Sequence, residues 1–121
     1  MRLASYSAPF TEGVADISIT NFSGEAGGML ANANRWRGQL NLSEYTLEDV
    51  KENTQRGQSG IGEYKLLKIV NGENEQSAFL CAVFELQTST IFIKMTASIS
   101  GIDELDAEFK SFCSSFKHNA E

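Results

Sequence analysis

An α+β fold, a mainly antiparallel sheet of five strands packed with two long helices, is predicted by three features of the chain. Two stretches, Glu25 to Leu42 and Ile102 to Phe116, repeat apolar residues at the three-and-four spacing of one-sided helices. Three segments between them have strand length and are separated by short turn-type links. One of these, Ser77 to Leu86 (SAFLCAVFEL), is apolar on both faces until Glu85, and such a strand needs cover on both sides. At 121 residues the chain makes one domain, residues 1–121.

In order, Arg2 to Ala8 and Val14 to Phe22 read as two strands joined across Pro9 to Gly13. In the second, Ala15, Ile17 and Ile19 alternate with Asp16, Ser18 and Thr20, so one face is buried and the other wet. The first long helix follows over Glu25 to Leu42, capped by Ser23 or Gly24, with Glu25 in its first turn beside the positive end of the dipole. Thr46 with Asp49 is a capping box opening a short helix to about Gln55, which has only Leu47 and Val50 as an apolar edge. Arg56 to Gly62 reads as a glycine-rich loop without the GK[ST] ending of a phosphate loop. An antiparallel meander of Glu63 to Val70, Gln76 to Leu86 and Thr90 to Ser98 comes next, turned at Asn71-Gly72 and Gln87-Thr88-Ser89. A capping box of Ser100 and Asp103 then opens the last helix, with Ile102, Leu105, Phe109, Phe112, Cys113 and Phe116 on its apolar face. Trp36, Phe79, Phe109, Phe112 and Phe116 are the expected aromatic core.

Sixteen acidic and ten basic residues give a net charge of −6, and the basic residues are scattered, which argues against nucleic-acid binding. No apolar run approaches the roughly eighteen residues of a membrane-spanning helix. Arg2 to Ala8 reads as a strand, so no leader is visible in the sequence. Cys81 and Cys113 lie on apolar faces and outside any CxxC pair, and read as buried free thiols. His118, the single histidine, sits in the tail, so no metal site, cofactor or Cys–His nucleophile is expected.

Candidate binding residues sit on the first long helix and the last strand. With each residue advancing roughly 100°, Arg37 falls inside the apolar arc of Ala26, Met29, Leu30, Ala33, Trp36 and Leu40. An arginine there must snorkel outward, meet a carboxylate or carbonyl, or line a crevice open to a ligand. Asn34 lies at the edge of the arc, three residues from Arg37, and Arg35 points nearly the opposite way, toward solvent. Lys94 is a lysine in mid-strand beside Phe92; its stem covers the sheet, or its ammonium pairs with a carboxylate or with an anion also held by Arg37.

The run GEAGGMLANANRWRGQLNL at Gly24 to Leu42, preceded by MRLASY and followed by TIFIKMTAS and FKSFCSSF, resembles a family of uncharacterised bacterial envelope proteins and lipoproteins. Their fold is similar to that of PsbP, the extrinsic photosystem II protein, and of the Ran-binding nuclear transport factor. Gly27, Gly28, Asn32, Asn34, Arg35, Trp36, Arg37, Gly38 and Gln39 carry the resemblance, while Thr96-Ala97-Ser98 stands where the family has a glycine after its strand. The resemblance implies an α/β/α sandwich of PsbP type in the cell envelope or periplasm, with no catalytic residues. The resulting expectation is a non-enzymatic binding or accessory module meeting a protein or small-molecule partner through the Asn34/Arg37 face or the Gly57 to Gly62 loop. Two other readings stay open. One is a small-molecule carrier with a pocket between the long helix and the sheet. The other is an enzyme using Arg37 and Lys94 as electrostatic stabilisers, with Asp16 or Glu85 as base.

Overall fold

A computed structural model describes residues 2–24 and 27–117. Among these described residues the architecture is α+β: one antiparallel sheet of six strands, in the order β1-β2-β6-β5-β4-β3, with three helices. The strands are β1 (Arg2–Phe10), β2 (Gly13–Ser23), β3 (Gln55–Ser59), β4 (Gly62–Val70), β5 (Ala78–Glu85) and β6 (Ser89–Ala97). The helices are α1 (Gly28–Gln39), α2 (Leu47–Asn53) and α3 (Ile99–Ser114). As the doubly apolar pattern of its sequence requires, β5 lies inside the sheet between β4 and β6.

Side chains alternate across the sheet and build two separate cores. On one side α3 sends Ile102, Leu105, Phe109 and Cys113 onto Leu66, Leu80, Phe84, Ile93 and Met95. On the other side α1 and α2 send Ala33, Trp36, Leu40 and Val50 onto Leu67, Ile69, Phe79, Cys81, Val83 and Phe92. Among the described residues, the buried members of this second core include none from β1 or β2.

The sixth strand corrects the reading of Arg56 to Gly62 as a loop. Gly57 stands opposite Tyr64, and the Tyr64 ring lies across the space that a Gly57 side chain would fill, only 2.2 Å from an ideal Cβ. The apolar half of this strand pair is therefore supplied by β4, and β3 shows no alternation of its own. Gly60 then donates its backbone N–H to the Phe116 carbonyl at 2.6 Å, tying the end of β3 to the tail of α3.

Helix ends also differ from expectation. Gly27 and Gly28 have φ of 87° and 79°, a region that side chains other than glycine rarely adopt, so α1 begins at Gly28 and not at Glu25. Glu25 and Ala26, expected in the first turn, and His118 lie outside the described residues. At the other end Asn41 turns left-handed (φ 59°), with its N–H on the Gly38 carbonyl and the Leu42 N–H on the Arg37 carbonyl. This paired closure ends the helix at Gln39, three residues before Leu42. Ser98, not Ser100, caps α3: its hydroxyl accepts the Gly101 N–H at 3.1 Å, and Asp103 instead pairs with Lys68 at 2.7 Å. The box at Thr46 and Asp49 forms as expected, and its hydrogen bonds hold the Asp49 carboxyl below its ordinary value.

Trp36, Phe79 and Phe109 are buried, whereas Phe112 and Phe116 are half-buried. Phe112 borders an open recess between α3 and β1, where the half-exposed Tyr6 meets it edge-on at 6.2 Å. Both cysteines are free and buried, Cys81 in the α1 core and Cys113 in the α3 core.

Candidate functional site

The four candidate residues divide into two pairs with different surroundings. Asn34 and Arg37 serve the link between α1 and α2. The Asn34 side chain donates to the Tyr45 carbonyl at 3.1 Å and accepts the Tyr45 N–H at 2.6 Å, so both its polar atoms are engaged by one residue's backbone. Arg37 donates from Nε to the Ser43 carbonyl at 2.7 Å and lays its guanidinium 3.7 Å from the Tyr45 ring centroid. Of the outcomes open to an arginine in the apolar arc, it takes the carbonyl, with an aromatic face in addition.

Arg35 and Lys94 come together on the other flank of α1. They line a groove of about 210 Å³ with Ser18, Thr20 and Phe22 of β2, Trp36 and Gln39 of α1, and Phe92 of β6. Strand register builds the floor: Lys94 stands opposite Ser18, Phe92 opposite Thr20 and Phe22 opposite Thr90. Helix α1 supplies the wall. Its buried Asn32 donates to the Gly28 carbonyl at 2.6 Å and accepts from the Arg35 guanidinium, which flanks the rings of Trp36 (5.5 Å) and Phe92 (5.9 Å). Lys94 donates to Gln39 Oε1 at 2.8 Å and holds its ammonium 4.0 Å from the centre of the Phe79 ring.

Among the described residues, none of the ion pairs includes Arg35 or Lys94. Partial burial is the main cause that holds the Lys94 ammonium below the ordinary lysine value, and the positive charge of Arg35 acts in the same direction. A Cys81 thiolate beside Lys94 would oppose this. Burial pushes the Cys81 thiol up to about 12, however, so it is neutral wherever Lys94 carries its charge. Two cations thus share one recess, and among the described residues no countercharge is paired with either.

Arg37 and Lys94 do not meet: one faces the Ser43–Tyr45 link, the other the β2–β6 face. Glu85 is paired with Lys65 at 2.7 Å, and Asp16 stands opposite Thr96, one pleat beyond Lys94. Sequence reasoning missed Gln39, Ser18, Thr20 and Phe22. Gln39 lies one helical turn after Arg35 and so was legible as its neighbour. The three β2 residues form the wet face of their strand, and only the non-sequential pairing of β2 with β6 brings them to Lys94. No protein-family model, curated protein or solved structure matches the chain.

Proposed function

We propose that this protein is a non-enzymatic binding or accessory module of the bacterial cell envelope, and that it binds through the Arg35/Lys94 groove. The observation that carries the binding reading is the groove's charge. Two cations, paired with no carboxylate among the described residues, line one groove on a chain of net charge −6. Holding Lys94 half-buried beside Arg35 costs stability in the free protein, and a binding partner that supplies negative charge offsets that cost. The envelope assignment and the PsbP-like sandwich rest on the resemblance of residues 24–42 described above. Asn34 and Arg37 take a supporting role in this reading, since they hold the link that follows α1.

Two experiments test the proposal. Fractionation of the native cell with an antibody to the protein should recover it with the envelope; recovery in the cytosol alone refutes the location. Capture from solubilised envelope with the wild-type protein and an Arg35→Ala/Lys94→Ala variant should give different retained components. Identical profiles from two equally folded proteins refute the groove as the binding surface.

A further inference from the structure

Resting on the groove as a binding surface, we propose that its ligand is a small molecule bearing an oxyanion group, a carboxylate or a phosphate, seated between the Arg35 guanidinium and the Lys94 ammonium. Four features of the groove specify this chemistry. The first is the pair of cationic donors with no carboxylate in contact among the described residues. Charge-assisted hydrogen bonds to an oxyanion are the strongest such a pair can make.

The second is preorganisation. Asn32 steadies Arg35 from within α1, and Gln39 with the Phe79 ring steadies Lys94, so both donors are held before a ligand arrives. The third is direction. Asp16 shares the pleat face of Ser18 and Thr20, one step beyond Lys94, and repels an anion from that end. The body of the ligand therefore extends the other way, past the Ser18 and Thr20 hydroxyls toward Phe22, which is 40% exposed and offers an aromatic edge. The fourth is size: about 210 Å³ lies below the roughly 300 Å³ at which sites for drug-sized ligands begin.

The test is a titration of the full chain followed by amide chemical shifts, at low and constant ionic strength. The probes are inorganic phosphate, acetate and, as an uncharged control, glucose, with sodium chloride correcting for screening. Phosphate or acetate should shift the amides of residues 18, 20, 35, 39 and 94 in a saturable manner. Comparing the two anions separates a phosphate from a carboxylate preference. Lys94→Met and Arg35→Gln should each weaken the effect at least about tenfold, the worth of one charge-assisted hydrogen bond, and Arg35→Lys should recover part of it. A native far-ultraviolet spectrum for each variant separates lost binding from lost folding.

Failure of both anions to shift these amides up to tens of millimolar, or equal shifts in wild type and Lys94→Met, overturns the oxyanion assignment. Glucose shifting the same amides in that case leaves the groove as a binding surface for an uncharged ligand. Anions acting only at other amides overturn the assignment and the groove together.

Discussion

Gly57→Ala is the sharpest probe of how β3 is held. The backbone of Gly57 lies outside the left-handed region, so alanine meets no conformational strain there, and any effect comes from the space its methyl would occupy. That methyl would sit 2.2 Å from Cζ, 2.4 Å from Oη and 2.6 Å from Cε2 of Tyr64. Carbon atoms rest at about 3.5–4.0 Å, so the ring must retreat by more than about 1 Å. Retreat is blocked. Tyr64 is 4% exposed, its ring packs 5.2 Å from Phe84, and its hydroxyl is bonded to Ser114 Oγ at 2.8 Å. Either the ring overpacks the α3 core or the five residues of β3 lift from the edge.

Overpacking of a well-filled core costs about 1–3 kcal/mol, and loss of the Tyr64 hydroxyl bond adds about 1 kcal/mol, so Gly57→Ala should destabilise by about 2–4 kcal/mol. Urea unfolding followed by the fluorescence of the single, buried Trp36 measures it, since that residue lies in the opposite core and reports global unfolding. A Tyr64→Leu background supplies the control: with the ring tip gone, Gly57→Ala should be neutral or stabilising by about 0.4–1 kcal/mol through the unfolded chain. A loss below about 0.5 kcal/mol in the wild-type background, a change typical of an unconstrained surface site, would refute the argument that Tyr64 fills the place of a side chain on β3.

Lys94→Met should raise stability at neutral pH. With its folded pKa below the unfolded value, Lys94 binds fewer protons folded than unfolded between the two, so stability rises with pH across that window. Melting temperatures from pH 7 to 10 should show this rise in the wild type and a flatter profile in the variant; parallel profiles would refute it. Arg37→Leu removes the bond to the Ser43 carbonyl and the contact with Tyr45, both near the surface, and should cost about 1–2 kcal/mol in chemical denaturation. A cost near zero would show that the link after α1 holds without it. Cys81 and Cys113, both raised to about 12 by burial, should react with a thiol reagent at neutral pH only after unfolding. Modification of the native protein, followed by mass spectrometry, would contradict their burial.

How far the sequence disclosed this fold depends on where each element draws its apolar contacts. α1, α3 and the alternating strands carry their own periodicity, and β5, apolar on both faces, shows its central place in its composition alone. β3 carries none, because Tyr64 from the neighbouring strand provides the hydrophobic contact over Gly57. The same locality explains the candidate site. The helical wheel of α1 directs Arg35 to solvent, and it is exposed, yet the wheel holds no information on the β2–β6 face toward which its guanidinium turns. Arg37 stands out on the wheel because it falls in the apolar arc, while its partners Ser43 and Tyr45 lie in an irregular link that no periodicity describes. Ser98 displaced Ser100 as the cap of α3 by two residues, a distinction set by backbone direction at the end of β6.

The sheet also acts as an insulating partition. Along β5, Leu80 and Cys81 are consecutive in the chain, yet Leu80 packs beneath α3 and Cys81 beneath α1. Among the described residues the two clusters share no member, so substitutions well separated on opposite sides should add in their energetic effects, whereas pairs on one side should couple. The two thiols cannot approach one another without the sheet coming apart. The groove belongs to the α1 side alone, through Trp36, Phe79 and Phe92. Variation in the α3 layer can therefore retune the stability of the molecule while leaving the two cations where they are.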